Sequence, residues 1–498
     1  MTRRLSTAVL LVAGLVLSGL SPVGATIDGC ASPDHAGGEW PVYGQSLDND
    51  RHQELETTIG PDTVGDLAPA FTISLADHGG LGTIESTPMV ADGCIFVATQ
   101  SGEVFAFNAD TGDFVWNTNL PGTVTTLSVA NGKVFADVSN PGSPAMAALD
   151  QATGAILWST VLTTMAGSDA TGSPVAFGDK VATGTSCGSA EIESGDARLT
   201  CRGAFHILDQ DTGTILATAY GIPDDDFEDG FAGGGMWSAP AIDMEDGYAY
   251  EGAGNPFSAR EHPRTNAILK IDVDPNRPDT FGTVVDSYKA TGEQYLPLLG
   301  TYKPLCEASG SNVGACEAPD LDMAMAVNIF HTSDGDKLVG DGQSSGIWHA
   351  VTSDTMEHVW QTVTGPPFAG ARSGGSAYDG ERIYTAGGAP GQVWALDPDD
   401  GDVEWVMPNI GPNVFNTMAV ANDVVYTLTG GGFGGGVWAA MLAYHADSGD
   451  VLTVKPLALD ILAPATGVQA GGVVIARNKV YAPVNTLAGS GNIVAYSV

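Results

Sequence analysis

The sequence predicts an all-β fold, an eight-bladed β-propeller with ring closure between its N- and C-terminal strands, and three observations carry that expectation. A short phrase recurs along the chain, each copy alternates apolar and polar residues with a period of two, and the last copy is a fragment whose missing half stands near the N-terminus. The phrase is an apolar alternation, Ala-(Leu/Phe)-(Asp/Asn), a Thr-Gly or Asp-Gly turn, then Trp. Self-similarity at this scale marks a repeat architecture, and period-two alternation broken by an Asp-Gly type of turn is the signature of a hairpin.

The copies follow in order. Gly102 to Trp116 reads GEVFAFNADTGDFVW, Ala145 to Trp158 reads AMAALDQATGAILW, and Gly203 to Leu216 reads GAFHILDQDTGTIL. A looser copy spans Asn266 to Asp286, and the phrase returns at Gly346 to Trp360 (GIWHAVTSDTMEHVW) and Gly391 to Trp405 (GQVWALDPDDGDVEW). Another loose copy covers Gly436 to Leu452, and GNIVAYSV, Gly491 to Val498, ends the chain. Each copy supplies two strands. A preceding stretch such as Ser86 to Thr99 (STPMVADGCIFVAT) supplies two more, giving four-stranded blades at a spacing of roughly 40 to 45 residues. The truncated last copy lacks an outer strand, and Leu67 to Leu75 (LAPAFTISL) has the missing pattern, so the first strand is expected to complete the last blade and leave no open sheet edge.

Length alone, 498 residues, would suggest about three domains, but a ring of blades is one cooperative object. The expected organisation is a signal peptide over 1–25, an N-terminal extension over 26–65 and the propeller over 66–498. The first segment runs Met-Thr-Arg-Arg, an apolar stretch from Ala8 to Leu20, then Val23-Gly24-Ala25, which is the pattern of an export signal with a small-residue cleavage site. No later apolar run reaches the roughly 18 residues of a membrane helix. Six cysteines in an exported chain favour disulfides. Proximity pairs Cys187 with Cys201 and Cys306 with Cys316, leaving Cys30 to reach Cys94, although six cysteines allow about 15 pairings.

Net charge falls from −40 to −42 once Arg3 and Arg4 leave with the signal. Such a field repels nucleic acid and anionic membrane surfaces and favours basic partners and neutral or cationic substrates. The nine histidines show no metal spacing, so zinc is not expected. Neither a Gly-x-Ser-x-Gly elbow nor a nucleotide fingerprint occurs, which leaves hydrolase and nicotinamide chemistry without support.

The blade phrase Ala-Leu-Asp-x-x-Thr-Gly-x-x-x-Trp resembles the repeats of the quinoprotein alcohol dehydrogenases, over Trp40 to Val498. Glu39 to Gln53 (EWPVYGQSLDNDRHQ), Thr57 to Phe71 (TTIGPDTVGDLAPAF) and Gly233 to Asp243 (GGGMWSAPAID) are similar in particular to the polyvinyl-alcohol dehydrogenase branch. That resemblance implies pyrroloquinoline quinone (PQQ) on the ring axis with Ca2+ beside it. It implies that Trp237 forms the floor under the quinone, that Asn255, eighteen residues on, ligates calcium, and that Glu191 is a second ligand, with Glu193 as a possible substitute. A flat quinone needs an aromatic face to stack on, and a hard cation takes oxygen donors.

The segment ending EAPDLDMAMAVNIF resembles the family's His-Asp-x-Trp-Asp element, keeping Asp320 and Asp322 but with Pro319 and Leu321 at the His and Trp positions. Asp322 is then the expected general base and a third calcium ligand. Glu85 and Thr171 match positions that hydrogen-bond the cofactor. Ser344 stands where family members place a Lys or Arg beside the quinone, and Arg372 is a candidate to compensate. A vicinal Cys-Cys pair found in the methanol dehydrogenase branch is absent from Thr123 to Phe135. The same residues also fit structural roles: a blade-docking Trp, a turn Asn beside Pro256, loop glutamates and strand-entry carboxylates.

The expected function is therefore export followed by oxidation of an alcohol, secondary or polymeric, with electrons passed to an external acceptor such as a cytochrome c, since the sequence has no Cys-x-x-Cys-His. The alternative is a non-catalytic propeller that binds a protein or polymer partner, because the same blade serves in an outer-membrane assembly factor. Fold alone does not separate the two.

Overall fold

The computed structural model describes residues 26–498 apart from 86, 192–198, 259, 291–320, 324, 366–373, 388–390, 410–415, 431–438 and 469–470; at residue 191 it describes the backbone alone. The Thr-Gly turns and alternating strands assemble into eight antiparallel sheets arranged as the blades of a propeller, seven of four strands and one of five. Blades 1 to 7 occupy residues 89–119, 123–161, 175–220, 241–289, 328–363, 377–408 and 419–456 in chain order. Blade 8 joins strands Ala465–Thr466, Val474–Ala476, Lys479–Thr486 and Gly491–Ser497 to the early strand Ala68–Ser74, which pairs antiparallel with Gly491–Ser497. The expected closure between the two ends of the chain is thus formed. Among the described residues no helix is long and apolar enough to cross a membrane.

The recurring Trp and Gly explain why blades pack on one another. Each Trp sits on the outermost strand of its blade, and its ring lies against the turn glycine of the next blade. An added Cβ at Gly154, Gly213, Gly401 or Gly449 would come within 2.3 to 2.6 Å of Trp116, Trp158, Trp360 or Trp405 respectively. All four glycines have φ between 68° and 74°, so both space and backbone conformation require glycine. Each indole N–H also donates into the next blade's turn: Trp116 to Gln151 O (3.0 Å), Trp158 to Gln210 O (2.9 Å), Trp360 to Pro398 O (3.0 Å) and Trp405 to Ala446 O (2.8 Å). In blade 8 Phe71 takes the Trp place over Gly112.

Residues 40–53, which the sequence reads as part of an extension, form a strap that circles the ring axis once. Trp40 exchanges both backbone hydrogen bonds with Val90 of blade 1 (2.7 and 2.9 Å). Pro41 O accepts from Val129 N of blade 2, Leu47 O from Ile242 N of blade 4, Asp48 O from Ile329 N of blade 5, Asp50 O from Tyr378 N of blade 6 and Arg51 O from Val420 N of blade 7, all at 2.7 to 3.0 Å. Gln53 returns a bond to Val420 O, and its side-chain amide reaches Ile475 O of blade 8 at 3.1 Å. The strap therefore satisfies backbone groups along the free edges of the innermost strands, which would otherwise face one another across an open channel. Gln45, Asn49 and Arg51 bend it at φ of 69°, 58° and 51°.

Strap side chains bind the inner strands as well. Buried Asn49 donates to Ala239 O (2.9 Å) and Val327 O (3.0 Å), tying blade 4 to blade 5, and Asn328 donates back to Asn49 O. Tyr43 OH donates to Gly374 O at 2.7 Å. Disulfides Cys30–Cys94 and Cys187–Cys201 form as expected, while the pairing of Cys306 with Cys316 falls outside the described residues. Replacing Asn49 with Ala strands two buried carbonyls and is expected to destabilise the fold by about 1–3 kcal/mol, read as a lowered midpoint in urea or thermal unfolding with cooperativity retained.

Candidate functional site

At one mouth of the ring the entries of the innermost strands meet the ends of the second strands, and the seam through blades 3, 4 and 5 gathers most of the residues singled out in the sequence. The glycine run before Trp237 makes this seam possible. Gly233 and Gly234 have φ of 97° and 64°; a Cβ on Gly233 would lie 2.4 Å from Asn255 O and one on Gly235 would lie 3.0 Å from Cys187 N. Backbone bonds Gly234 N to Asn255 O and Gly254 N to Gly235 O, both 2.8 Å, then lace this run to the end of strand Tyr248–Ala253. Blade 3, the entry of blade 4 and the end of its second strand are held at backbone contact.

Asn255 and Asp322, sixty-seven residues apart, are brought together. Asn255 N–H donates to Asp322 Oδ1 at 2.5 Å, and both residues are buried. The carboxylate packs against glycine: a Cβ on Gly254 would stand 3.0 Å from Asp322 Oδ1. Ser344 joins the same group through its backbone, N–H to Asp322 O at 2.9 Å, while its buried Oγ has no hydrogen-bond partner among the described residues. Trp237 stands half-buried at the entry to blade 4, with its backbone 3.5 Å from the position of a Cβ on Gly172. Beside Gly172, exposed Thr171 hydrogen-bonds Ser186 Oγ at 3.3 Å.

The other candidates are less tightly gathered. Glu85 occupies the entry of blade 1, where Thr83 Oγ1 donates to its Oε1 at 2.9 Å and burial raises its pKa above the usual carboxylate range. Glu191 closes the short helix Gly188–Glu191, which follows the bridged Cys187; its side chain, together with Glu193, Asp320 and Arg372, lies outside the described residues. Among the described residues no three His, Cys, Asp or Glu side chains gather as a metal site. Of the expected calcium ligands, Asn255 and Asp322 are adjacent through the Asn255 backbone N–H, and each side chain is of the oxygen-donor type a divalent cation takes.

A further layer of carboxyls, missed in the sequence because single acids within apolar strands carry no pattern, lies beneath the mouth. Glu251 and Asp341, on the second strands of blades 4 and 5, and Asp137 of blade 2 are fully buried. Ser238, next to Trp237, donates to Glu251 Oε1 at 2.9 Å, and Asp341 Oδ2 lies 3.0 Å from the position of a Cβ on Gly252, two residues before the glycine that faces Asp322. Burial pushes Glu251 to about 8, with the charge of Asp137 adding to it against the Ser238 bond; burial likewise pushes Asp137 to about 8 and Asp341 well above its usual value.

These acids fold as neutral groups, so their contribution to stability is full below the unfolded pKa near 4 and is lost as pH rises through about 8. Unfolding free energy is therefore expected to fall by a few kcal/mol between about pH 5 and 9. Glu251→Gln, which is neutral at every pH, should shallow that slope; urea titrations at successive pH values measure it.

Similarity to known proteins follows the same geometry. The chain is 27% identical over 416 residues to a polyvinylalcohol dehydrogenase of a Pseudomonas species, covering 76% of this chain and 62% of that protein. It is 26% identical over 349 residues to a polyvinylalcohol dehydrogenase of a Sphingopyxis species, covering 62% of this chain and 51% of that one. The chain thus spans less than two thirds of the length of these relatives. Among solved structures, quinohemoprotein alcohol dehydrogenase from Comamonas testosteroni superposes with a TM-score of 0.70 at 18% identity, over 92% of this chain and 80% of that one, and BamB from Moraxella catarrhalis with 0.53 at 13%, over 87% and 100%. A family model described as outer membrane protein assembly factor BamB matches residues 62–219 and 344–498. That match takes in more than half of the sequence, and with eight closed blades around one axis the chain belongs to this PQQ-repeat propeller family.

Proposed function

We propose that this chain is an exported quinoprotein alcohol dehydrogenase, with residues 1–25 as its signal, 26–65 as the segment bearing the strap and 66–498 as the propeller. The observation that carries the reading is the bond from Asn255 backbone N–H to Asp322 Oδ1, which holds the carboxylate of the expected base against the segment of the expected ligand Asn255. The donor chemistry fits PQQ with a divalent cation: Asn255, Asp322 and Glu191 would hold Ca2+, the Trp237 ring would stack under the quinone, and Glu85, Thr171 and Ser344 would meet its polar edge. When bound, PQQ with its cation supplies the hydride acceptor that side chains lack.

The protein's own share is positioning and proton transfer. Asp322 is held from two sides, its carboxylate by Asn255 N–H and its carbonyl by Ser344 N–H, so its oxygens are fixed before substrate arrives. Fixing a base in this way removes the entropy of finding it and contributes to rate without any movement of the blade. The carboxylate takes the alcohol's hydroxyl proton as hydride leaves the carbon. The strap lines the axis along the innermost strands, so substrate and a separate electron acceptor, such as a cytochrome c, would approach from the mouth. Similarity to polyvinylalcohol dehydrogenases favours a secondary or polymeric alcohol as substrate.

Reconstitution with PQQ and Ca2+ tests the reading. Dye reduction with a panel of secondary alcohols is expected only when both are present, and Asp322→Asn should lower it at least about 100-fold, the range a general base contributes. Absence of PQQ binding in the wild-type protein would instead favour the non-catalytic propeller, to which the description of the matching family model also points.

A further inference from the structure

Of the two arginines among the described residues whose side chains are fully buried, Arg477 is matched by Glu39 at 2.9 Å and Asp110 at 3.0 Å. Arg51 is not. Its guanidinium donates to main-chain carbonyls, to Met418 O through Nε (2.5 Å), to Tyr43 O through Nη1 and to Val473 O through Nη2 (3.5 Å), and among the described residues no carboxylate forms an ion pair with it. It stacks on Trp40 and Tyr43, with its central carbon 5.2 and 4.8 Å from the ring centroids. Asp50, the nearest acid to act on it, is bonded to His52 N–H and is itself pushed by burial to about 7. Burial draws Arg51 down to about 10, which leaves it charged at neutral pH.

The bonds of Arg51 fix its height on the axis. A Cβ on Gly472 would lie 3.2 Å from Arg51 Nη2, and Gly472 N donates to Thr87 Oγ1 at 3.2 Å. Thr87 is two residues beyond Glu85 in the sequence. The blade 4 residue in register with Thr87 is Ala239, two beyond Trp237, since both stand three residues ahead of the strap-bonded Val90 and Ile242. The cation thus sits on the axial side of the inner strands, one layer below the level of Trp237, Glu85 and Thr171.

A buried charge is ordinarily paired, and an unpaired one is costly. We infer that Arg51 is the countercharge, from below, for an anionic ligand on the ring axis. The inference rests on the proposed quinoprotein reading, in which the ligand is PQQ, a tricarboxylate entering a chain of net charge −40. Arg51 is a positioning residue that acts through the field. It offers the positive charge on the axis that Ser344 does not, and it does so from the strap instead of from a blade.

The test is a fluorescence titration of the folded protein in Ca2+ with PQQ and with its trimethyl ester, for wild type, Arg51→Gln and Arg51→Lys. The expected result is that Arg51→Gln binds PQQ about tenfold or more weakly, that Arg51→Lys recovers most of the loss, and that preference for PQQ over the ester shrinks in Arg51→Gln. Wild-type binding with unchanged affinity in a cooperatively folded Arg51→Gln overturns the inference and leaves the quinoprotein reading standing. If Arg51→Gln does not fold, equal affinity of the wild type for PQQ and the ester overturns it. A flat wild-type titration overturns the reading and the inference together.

Discussion

Ring closure depends on one contact repeated from blade to blade, an indole lying flat on the glycine of its neighbour's turn. The contact needs three things at once: an outer-strand Trp, a turn residue without a Cβ, and a left-handed backbone at that residue. Where the Trp is absent the partner changes with it. Blade 3 presents Ala217 to Gly282, and a Cβ there would lie 2.1 Å from the Ala217 methyl. In blade 5, whose neighbour's outer strand Val284–Lys289 has no Trp, the turn residue is Met356, which accepts φ of 52° to bury its side chain in the gap. At the blade 4–5 interface the bulk missing from the outer strand is supplied by the neighbour's turn, as close packing demands.

The site inherits its order from that rigidity. Five of its residues stand at strand ends: Trp237, Thr171 and Glu85 precede innermost strands, and Asn255 and Ser344 follow second strands. Asn255 and Asp322 meet because blades 4 and 5 meet, and Asn49 ties the same two blades from the axis. The glycines at 252 and 254 open the facing strand to the carboxyls of Asp341 and Asp322 in turn. Chemistry and architecture share the same contacts, so a change in blade packing is transmitted to the carboxylate without any intervening hinge.

Much of this was legible in the sequence, and for a physical reason. Period-two alternation, the Thr-Gly turn and the trailing Trp are local, so blade count, the closing strand Ala68–Ser74 and the Cys30–Cys94 and Cys187–Cys201 bridges could be anticipated. The resemblance also directed attention to Trp237, Asn255 and Asp322. What stayed hidden is non-local. Residues 40–53 have no period because they bond one blade after another, and left-handed Gln45, Asn49 and Arg51 carry none of the glycine signal that marks such bends elsewhere. Arg51 and Glu251 look like surface charges until the fold encloses them.

The strap also bears on the order in which the molecule can assemble. Its residues precede every blade they bond, yet Arg51 binds the carbonyls of Met418 and Val473, and Ala68–Ser74 pairs with Gly491–Ser497. Both ends of the ring therefore wait some four hundred residues for their partners. Loop closure over that distance is slow, and contacts of such sequence separation form late. A nascent chain can build blades one at a time, but it holds an open arc with a bare inner edge until the final strand arrives. Completion is then a single event that seals the rim and the axis together.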